Sequence, residues 1–373
     1  MKEKIGNNEF QGMDRPTFFK TSSAISLGAA PTSGAPGIMS AQKKNSGEKI
    51  DMFPHILPQK YNEALLKKSR PCYYLEANRL RPALIDLDLR FKTMDKFEGL
   101  KQVLTLGSPP IEYAVSPQDA VDLARMANDG MAELVNKYPD RFVAAAASLP
   151  MSDVDASLRE ADRAIKELKF KGIQIFSSIN GKPLDSPEFL GLYEKMAQYG
   201  LPIWIHPTRD SDIPDYPGEK FAKYDLFVAF AWPFETTMAM GRLVCSGIME
   251  KYPNIKFIAH HCGAMVPFLS ARIPIVAAAG EGEIMKLTKP HVEYFKRFYG
   301  DTVLGGNTSA LMCGYTFFGA DHMFFGSDYP YPGPSPGEAG LEAVIKSVER
   351  MSITEEEKAK IFSKNARRIL NLS

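Results

Sequence analysis

Paired cysteines, long apolar runs and an excess of charge of one sign are all missing from this sequence. Its four cysteines form no CxxC pair, which argues against a zinc knuckle and a disulfide framework. No apolar run approaches the roughly 18 residues that would span a bilayer, so no membrane-spanning segment is predicted. Lys and Arg number 45 against 44 Asp and Glu, and this balance gives no reason to expect nucleic acid or an anionic membrane as partner. The expected partner is a small molecule.

The first 46 residues differ in composition from the rest of the chain. Ser, Gly, Ala and Pro dominate residues 21–40. We therefore expect residues 1–46 to be a disordered or cleavable leader and residues 47–373 to form one large domain. Residues 14–20, DRPTFFK, are close to a twin-arginine export signal, but Pro16 stands where the second arginine belongs. The expected location is either the cytoplasm or an exported compartment reached through this degenerate leader.

From residue 49 onward, short β-rich apolar segments alternate with amphipathic ones. This alternation is typical of a parallel sheet whose strands are joined by crossover helices. Eight strands are predicted, and eight is the number that closes a (β/α)₈ (TIM) barrel. They cover residues 49–56, 100–107, 142–149, 172–178, 202–207, 255–261, 297–304 and 323–328.

Two kinds of connection follow from the same pattern. Residues 155–168 carry apolar side chains at three- and four-residue spacings, which predicts an amphipathic helix of the outer ring. Residues 51–91 and 209–231 are longer than ordinary βα loops. We expect these two insertions to cover the mouth of the barrel and to shape the choice of substrate.

Polar residues stand at the carboxyl ends of four predicted strands. His55, His206, His261 and Asp328 end the first, fifth, sixth and eighth strands. Catalytic groups of an α/β barrel come from these ends, so the four side chains are expected in one site. Imidazole and carboxylate groups are ligands of catalytic divalent ions, and three protein ligands with one open position suit zinc. A divalent ion is therefore expected, zinc first and manganese as the alternative.

The other three histidines have weaker placements. His260 directly precedes His261, and side chains alternate along a strand, so His260 is predicted to face the opposite way and to act in packing. His291 lies in a helical region and His322 just before a strand. For any single histidine of this chain, a hydrogen-bonded structural role is the alternative to ligation.

Six segments of the chain stand out: IDMFPHILP at 50–58, WIHP at 204–207, PFETT at 233–237, HCGAMVPF at 261–268, ALMC at 310–313 and FGSDYP at 325–330. In this order and spacing, they resemble the amidohydrolase-related family that includes aminocarboxymuconate-semialdehyde decarboxylase and metal-dependent hydroxybenzoate decarboxylases. The resemblance covers nearly all of residues 49–373 and implies a TIM-barrel catalytic domain. It also implies that His55, His206 and Asp328 are metal ligands and that His261 is the catalytic acid or base.

One position departs from the family. The first strand usually carries a His-x-His pair whose side chains point the same way, and here the first member is Phe53. The phenyl ring of Phe53 cannot ligate an ion. The predicted ligands are therefore His55, His206, Asp328 and solvent, unless Asp51 on the same face of the strand contributes. Weaker metal binding is then expected. The alternative is a metal-poor site in which the same residues act as acid, base and anchor.

The resemblance further implies two substrate-binding arginines. Arg90 lines up with an arginine that holds a substrate carboxylate, a task that suits the planar guanidinium fork. Arg272 resembles a second arginine that the family supplies from a neighbouring subunit, and the family tends to dimerise, so a homodimer is expected. For either arginine, a position on a solvated helix is the alternative.

Three functions remain open from the sequence. The first is a metal-dependent, non-oxidative decarboxylase of a small aromatic or unsaturated carboxylic acid, in which His261 or Asp328 manages the proton that replaces carbon dioxide. Residues 176–178 carry no lysine of the kind that bridges two ions in binuclear hydrolases, which favours this function. The second is a metal-dependent hydrolase of a lactone or amide. The third, motivated by Phe53, is a metal-poor binding protein on the same scaffold.

Overall fold

The structure is a computed structural model and describes residues 47–278, 287–331 and 337–372. The predicted leader, residues 1–46, lies outside the described residues. Within the described ranges, no helix is long and apolar enough to cross a membrane.

The secondary structure alternates between short strands and helices. The strands are β1 (Lys49–Asp51), β2 (His55–Ile56), β3 (Leu100–Leu106), β4 (Phe142–Ala145), β5 (Ala147–Ser148), β6 (Ile173–Phe176), β7 (Ser178–Ile179), β8 (Lys182–Pro183), β9 (Pro202–His206), β10 (Lys256–Ala259) and β11 (Tyr299–Gly300). The α-helices are α1 (Gln59–Lys68), α2 (Tyr73–Arg79), α3 (Leu87–Met94), α4 (Ile111–Ala114), α5 (Pro117–Lys137), α6 (Val154–Lys166), α7 (Leu190–Tyr199), α8 (Trp232–Cys245), α9 (Ile248–Lys251), α10 (Ile273–Ala278), α11 (His291–Phe295), α12 (Thr308–Phe318), α13 (Glu338–Glu349), α14 (Glu355–Ala359) and α15 (Asn365–Leu370). Short 3₁₀ helices cover Pro82–Leu84, Pro187–Phe189, Ser270–Arg272 and Ala320–His322, and π-helical turns cover Phe227–Ala231 and Lys360–Lys364.

Parallel pairing runs around a closed ring. Strands β1 and β2 both pair with β3, which pairs with β4, and β5, β6, β9, β10 and β11 follow in that order. The Ala146 N–H donates to the Leu104 carbonyl (2.9 Å) and so joins β3 to the β4–β5 segment. A bridge from Gly300 to Met323 adds the eighth segment, whose Phe325 carbonyl accepts a bond from the Met52 N–H (2.8 Å). The predicted (β/α)₈ barrel is confirmed.

Two of the predicted strands are less regular than expected. The first is divided into β1 and β2 around Pro54, which has no N–H to donate to a neighbouring strand. The eighth predicted strand, residues 323–328, is bound to its neighbours but is too irregular to count as a strand. It ends at Asp328, whose φ of +60° turns the chain away from the extended path.

The barrel interior is packed with side chains rather than open. Trp204 is fully buried among them, and its indole N–H donates to the Met52 carbonyl (2.8 Å). Side chains of α15 pack against the same interior cluster. Because side chains alternate along a strand, these interior residues show which side chains of each strand point inward. They include Ile50, Phe53, Val103, Ala144, Ala146, Trp204, Ile258 and Phe324.

The two long connections meet beyond the carboxyl ends of the strands. The first carries α1, α2 and α3, and the second has no strand and ends in a π-helical turn. The Tyr74 hydroxyl of α2 donates to the Arg209 carbonyl (2.9 Å), and the indole N–H of Trp232 donates to the same oxygen (2.9 Å). Since Arg209 comes three residues after β9 ends, this contact lies beside the end of β9 that carries His206.

A close approach of β6 to β9 gives a test of this fold. A Cβ at Gly172 (φ +153°) would lie 2.3 Å from the Pro202 carbonyl oxygen. That oxygen is part of the β9 main chain and cannot move aside easily. We therefore expect Gly172→Ala to lower the free energy of unfolding by roughly 2 kcal/mol or more. The control is Gly241→Ala within α8, where a Cβ meets nothing within 4 Å, and it should raise stability by up to about 1 kcal/mol. Denaturant midpoints measure both, and equal midpoints would contradict the β6–β9 approach.

Candidate metal centre

Four buried or partly buried side chains converge at the carboxyl ends of the barrel strands. They are His55, His206, His260 and Asp328, and each offers one ligand atom within 4.8 Å of the others. The imidazole rings of His55 and His206 have centroids 5.1 Å apart, and those of His206 and His260 are 5.0 Å apart. The four segments that carry these residues are far apart in the sequence, so the barrel itself brings the side chains together.

The hydrogen bonds of His55 define which of its ring nitrogens faces the cluster. The Thr105 hydroxyl donates its single proton to the Pro54 carbonyl (2.6 Å) and lies 3.2 Å from Nδ1 of His55. That hydroxyl can therefore only accept from Nδ1, which must carry the ring proton. The other ring nitrogen of His55, Nε2, faces Asp328.

His206 and His260 are held in the same way. Nδ1 of His206 lies 2.7 Å from the carbonyl of Pro207, which can only accept, so this nitrogen carries the proton. Nδ1 of His260 lies 2.5 Å from a carboxylate oxygen of Asp301. In all three histidines, a hydrogen bond at Nδ1 leaves Nε2 for the cluster, which is the usual arrangement around a metal ion.

Asp328 stands among these imidazoles as a charged group. Burial acts to raise the pKa of Asp328, but His260 and His55 outweigh it and hold the pKa well below its usual range. Burial and the neighbouring His260 and His55 hold the pKa of His206 well below its ordinary value. A carboxylate and a neutral imidazole are the protonation states that a divalent ion requires.

One short contact indicates that a cation fits this cluster. Nε2 of His55 and Oδ1 of Asp328 are 3.0 Å apart, yet Nε2 makes no hydrogen bond within the described residues. Two acceptor atoms this close repel each other unless a proton or a metal ion lies between them. The residues therefore fit a divalent ion, and the structure supports a divalent metal site here.

Aromatic rings flank the cluster on two sides. Phe53 is fully buried and stacks on His260 with a centroid distance of 3.8 Å. Phe176, at the end of β6, meets His206 edge-on at 5.4 Å. Neither ring offers a ligand atom, so these two sides give no support for a second ion.

The structure brings together the three predicted metal ligands, His55, His206 and Asp328. The expectation that His260 packs away from them was wrong. Ile258 faces the barrel interior, and His260, two residues further along, therefore points inward as well. The alternation of side chains along β10 could have revealed this orientation, if Ile258 had been assigned to the barrel interior together with the interior residues of the other strands.

His261 lies beside the cluster rather than within the set of four. Its ring centroid is 4.1 Å from that of His260, and its buried Nδ1 atom has no hydrogen-bond partner within the described residues. The chain leaves the strand at this point, since His261 has a φ of +56°. Burial and the neighbouring His260 lower the pKa of His261 to about 4. Its predicted catalytic role remains a prediction.

Asp301 was missed in the sequence. It directly follows β11, but the predicted strand ran on to residue 304, so Asp301 did not stand at a predicted strand end. Burial acts to lower the pKa of His260, but the Asp301 carboxylate outweighs it and raises that pKa to about 9. A proton on His260, or a cation next to it, balances the buried negative charge of Asp301.

Asp51 does not join the ligands, although it was considered as a substitute for the missing histidine. Its carboxylate accepts bonds from the N–H groups of Phe53 (3.2 Å) and Ser327 (2.9 Å) and from the Ser327 hydroxyl (2.5 Å). Burial raises the pKa of Asp51 to about 6, and the Ser327 bonds oppose that rise. Asp51 thus ties β1 to the eighth segment.

Arg90 has a placement that does not fit its predicted contact with a substrate carboxylate. The side chain is fully buried, and Nη1 donates to the carbonyls of His55 (2.8 Å) and Ala83 (3.1 Å). Nε donates to the side chain of Gln102 (2.9 Å). Through these donors Arg90 supports the main chain at His55, while its buried Nη2 atom has no hydrogen-bond partner within the described residues. The reason is tertiary, since α3 packs its guanidinium inward against β2 and β3.

Arg272 lies at the end of a short 3₁₀ helix and is exposed. It is not among the residues of the cluster. Its predicted role, contact with substrate from a neighbouring subunit, remains a prediction.

Known proteins resemble this chain in sequence and fold. The sequence matches the amidohydrolase family over residues 50–372. A 2-amino-3-carboxymuconate-6-semialdehyde decarboxylase from Dictyostelium discoideum is 31% identical over 275 residues, 73% of this chain and 73% of that protein. A gamma-resorcylate decarboxylase from Polaromonas sp. is 31% identical over 314 residues, 79% of this chain and 90% of that protein.

The fold is similar to a crystal structure of 5-carboxyvanillate decarboxylase from Novosphingobium aromaticivorans in complex with manganese and 4-hydroxy-3-methoxy-5-nitrobenzoic acid. The TM-score is 0.75 at 26% identity, and the match covers 87% of this chain and 96% of that one. The prediction of an enzyme of the amidohydrolase superfamily is confirmed. Because the family match spans the whole barrel and every residue of the candidate centre, this protein belongs to the amidohydrolase family.

Proposed function

We propose that the protein is a metal-dependent, non-oxidative decarboxylase of a small aromatic carboxylic acid. One observation carries this proposal: His55, His206 and Asp328 converge in a chain whose relatives at 31% identity are decarboxylases. Phe176 supports it further, because this ring stands against His206 where a binuclear hydrolase would need a bridging ligand. The hydrolase of a lactone or amide is the rival that the assay below must separate.

The substrate class that we propose is a hydroxybenzoic acid. The relatives named above act on carboxylic acids, and the Novosphingobium structure holds a hydroxylated benzoic acid. When bound, a divalent ion supplies a Lewis acid that stabilises negative charge on a substrate oxygen. His55, His206 and Asp328 would hold this ion. Imidazole ligands suit zinc, and manganese is the alternative because that structure contains it.

The reaction sets one task for the side chains around the ion. The bond between the ring carbon and the carboxylate carbon breaks, and carbon dioxide leaves. The electron pair of the broken bond stays on the ring carbon, which then accepts a proton. A group that exchanges a proton is therefore needed beside the substrate. His261 suits this task because its Nδ1 atom has no hydrogen-bond partner in the described part of the chain, and Asp328 is the alternative.

A test of the reaction combines product analysis with metal analysis. Purified protein should contain about one divalent ion per chain and release carbon dioxide from hydroxybenzoic acids such as 2,6-dihydroxybenzoate. In ¹⁸O-labelled water the aromatic product should carry no label. We expect His206→Ala to lose both the ion and the activity, because a ligand is removed. His322→Ala should keep both, since His322 lies outside the cluster and bonds to the Lys296 carbonyl.

Three results would contradict the proposal. Labelled oxygen in the product without release of carbon dioxide would indicate the hydrolase. Full activity in metal-free protein would favour a site in which the same residues act without an ion. No metal and no activity against a broad set of carboxylic acids would favour the binding protein.

We also propose that the protein is a homodimer. Phe230, Phe234 and Met238 follow one another at four-residue spacing on the helical segment 227–245, and all three are exposed. Phe268 is 80% exposed, and its segment is joined to this helix by a bond from the Met265 N–H to Thr237 Oγ1 (3.1 Å). Exposed apolar surface of this kind marks interfaces between chains.

A second copy of the chain is the occupant we propose for this surface. Symmetric dimers bury the same patch on both subunits, and an apolar stripe can pack against its own copy. Exposed Arg272 follows Phe268 on the same segment. The pairing would therefore bring Arg272 against the neighbouring subunit, as its predicted role in substrate binding requires.

The dimer has a direct test in solution. We expect Phe234→Glu to convert a dimer into a monomer, because it places a charge in the apolar stripe. The control is Leu66→Glu, which alters an equally exposed leucine on α1 and should leave the mass unchanged. Light scattering coupled to size-exclusion chromatography gives the mass of each variant. A monomeric parent protein would refute the dimer.

A further inference from the structure

We infer that His260 is a fourth metal ligand in this chain, and that it takes over the position in the ligand set that the first-strand residue Phe53 cannot fill. This inference rests on the proposed metal-dependent function and extends it to a ligand that the sequence did not predict. It also assigns separate tasks to the two adjacent histidines: His260 binds the ion, and His261 remains for proton transfer.

The separation of the donor atoms supports this assignment. Ligands at 2.0–2.1 Å from zinc in a tetrahedron lie about 3.3 Å from one another. Oδ1 of Asp328 lies 3.0 Å from Nε2 of His55 and 3.4 Å from Nε2 of His260. The distance from Asp328 to His260 is therefore similar to the distance from Asp328 to the predicted ligand His55. All four donor atoms lie within 4.8 Å of one another.

Two contacts orient His260 for this role. Asp301 accepts from Nδ1 (2.5 Å), and its carboxylate is itself anchored by the N–H groups of Cys262 and Val303, both at 3.0 Å. Phe53 stacks on the ring at 3.8 Å with an interplanar angle of 29°. The hydrogen bond sets the rotation of the ring and the stacking sets its plane, so Nε2 is aimed at the other donors.

Phe53 thus lines the site and packs against its histidines, although it provides no ligand atom. The Phe53 ring centroid is 5.7 Å from that of His55 and 6.0 Å from that of His206, which is close to the spacing among the histidines themselves. A histidine at this position would reach the cluster. Asp51, the other residue of this strand that could have replaced it, is held by Ser327.

The test measures metal affinity rather than turnover. Metal-free protein is titrated with zinc against a chelator of known affinity. We expect Asp301→Asn to raise the dissociation constant for zinc roughly 10- to 100-fold, because it weakens the orientation of His260. His260→Ala should raise it at least as much. In the double variant Phe53→His with His260→Ala, a first-strand histidine is available again, and zinc binding should recover most of the loss.

Controls keep the outcomes distinct. His322→Ala should bind zinc like the parent protein, and thermal melts of the metal-free variants show whether each has folded. His260→Gln, which keeps more of the side-chain volume, replaces His260→Ala if the latter does not fold. Parent-like zinc affinity in a folded His260 variant would overturn the inference, even if its activity is lost. If the parent protein itself binds neither zinc nor manganese, the proposed function fails instead.

Discussion

The buried carboxylate of Asp301 is the interaction on which the candidate centre depends. It accepts from Nδ1 of His260 and from the main-chain N–H groups of His261 (3.2 Å), Cys262 (3.0 Å) and Val303 (3.0 Å). His261 and Cys262 both have positive φ angles, at +56° and +55°. A conformation of this kind costs free energy in non-glycine residues and persists where the surroundings define it. One carboxylate therefore holds the turn after β10 and the orientation of His260.

Charge balance explains why this cluster needs a cation. Asp301 and Asp328 bring two carboxylates close to His260, while burial and the neighbouring His260 and His55 lower the pKa of His206. An unbalanced carboxylate is costly in a buried site. A proton on His260 meets part of that requirement, and a divalent ion meets all of it. The metal and this proton therefore compete for the same place.

The outer supports of the site come from elements that do not touch the ligand atoms. Arg90 reaches from α3 to the His55 carbonyl, and Asp51 joins β1 to Ser327, one residue before Asp328. Both side chains form hydrogen bonds with main-chain groups at or next to a predicted metal ligand. The exposed Arg272 remains a proposed contributor to substrate binding from the neighbouring subunit.

The sequence by itself determined the barrel and three members of the centre. Eight apolar segments predicted eight parallel strands, whose carboxyl ends meet at one face, and His55, His206 and Asp328 could be assigned to that face from their positions alone. The family resemblance then led to the correct superfamily. These inferences need only strand order and strand ends, which local patterns carry.

Only the tertiary structure decided where the side chains of His260, His261 and Arg90 lie and what they contact. Which side of β10 faces inward depends on packing against Trp204 and the other interior residues, and the two histidines change places if that side is misjudged. The family resemblance assigned Arg90 to substrate, and its partners, the carbonyls of His55 and Ala83, could not be seen from its neighbours in the chain. Hydrogen-bond partners that are distant in sequence leave no local pattern, so the folded chain alone could decide these roles.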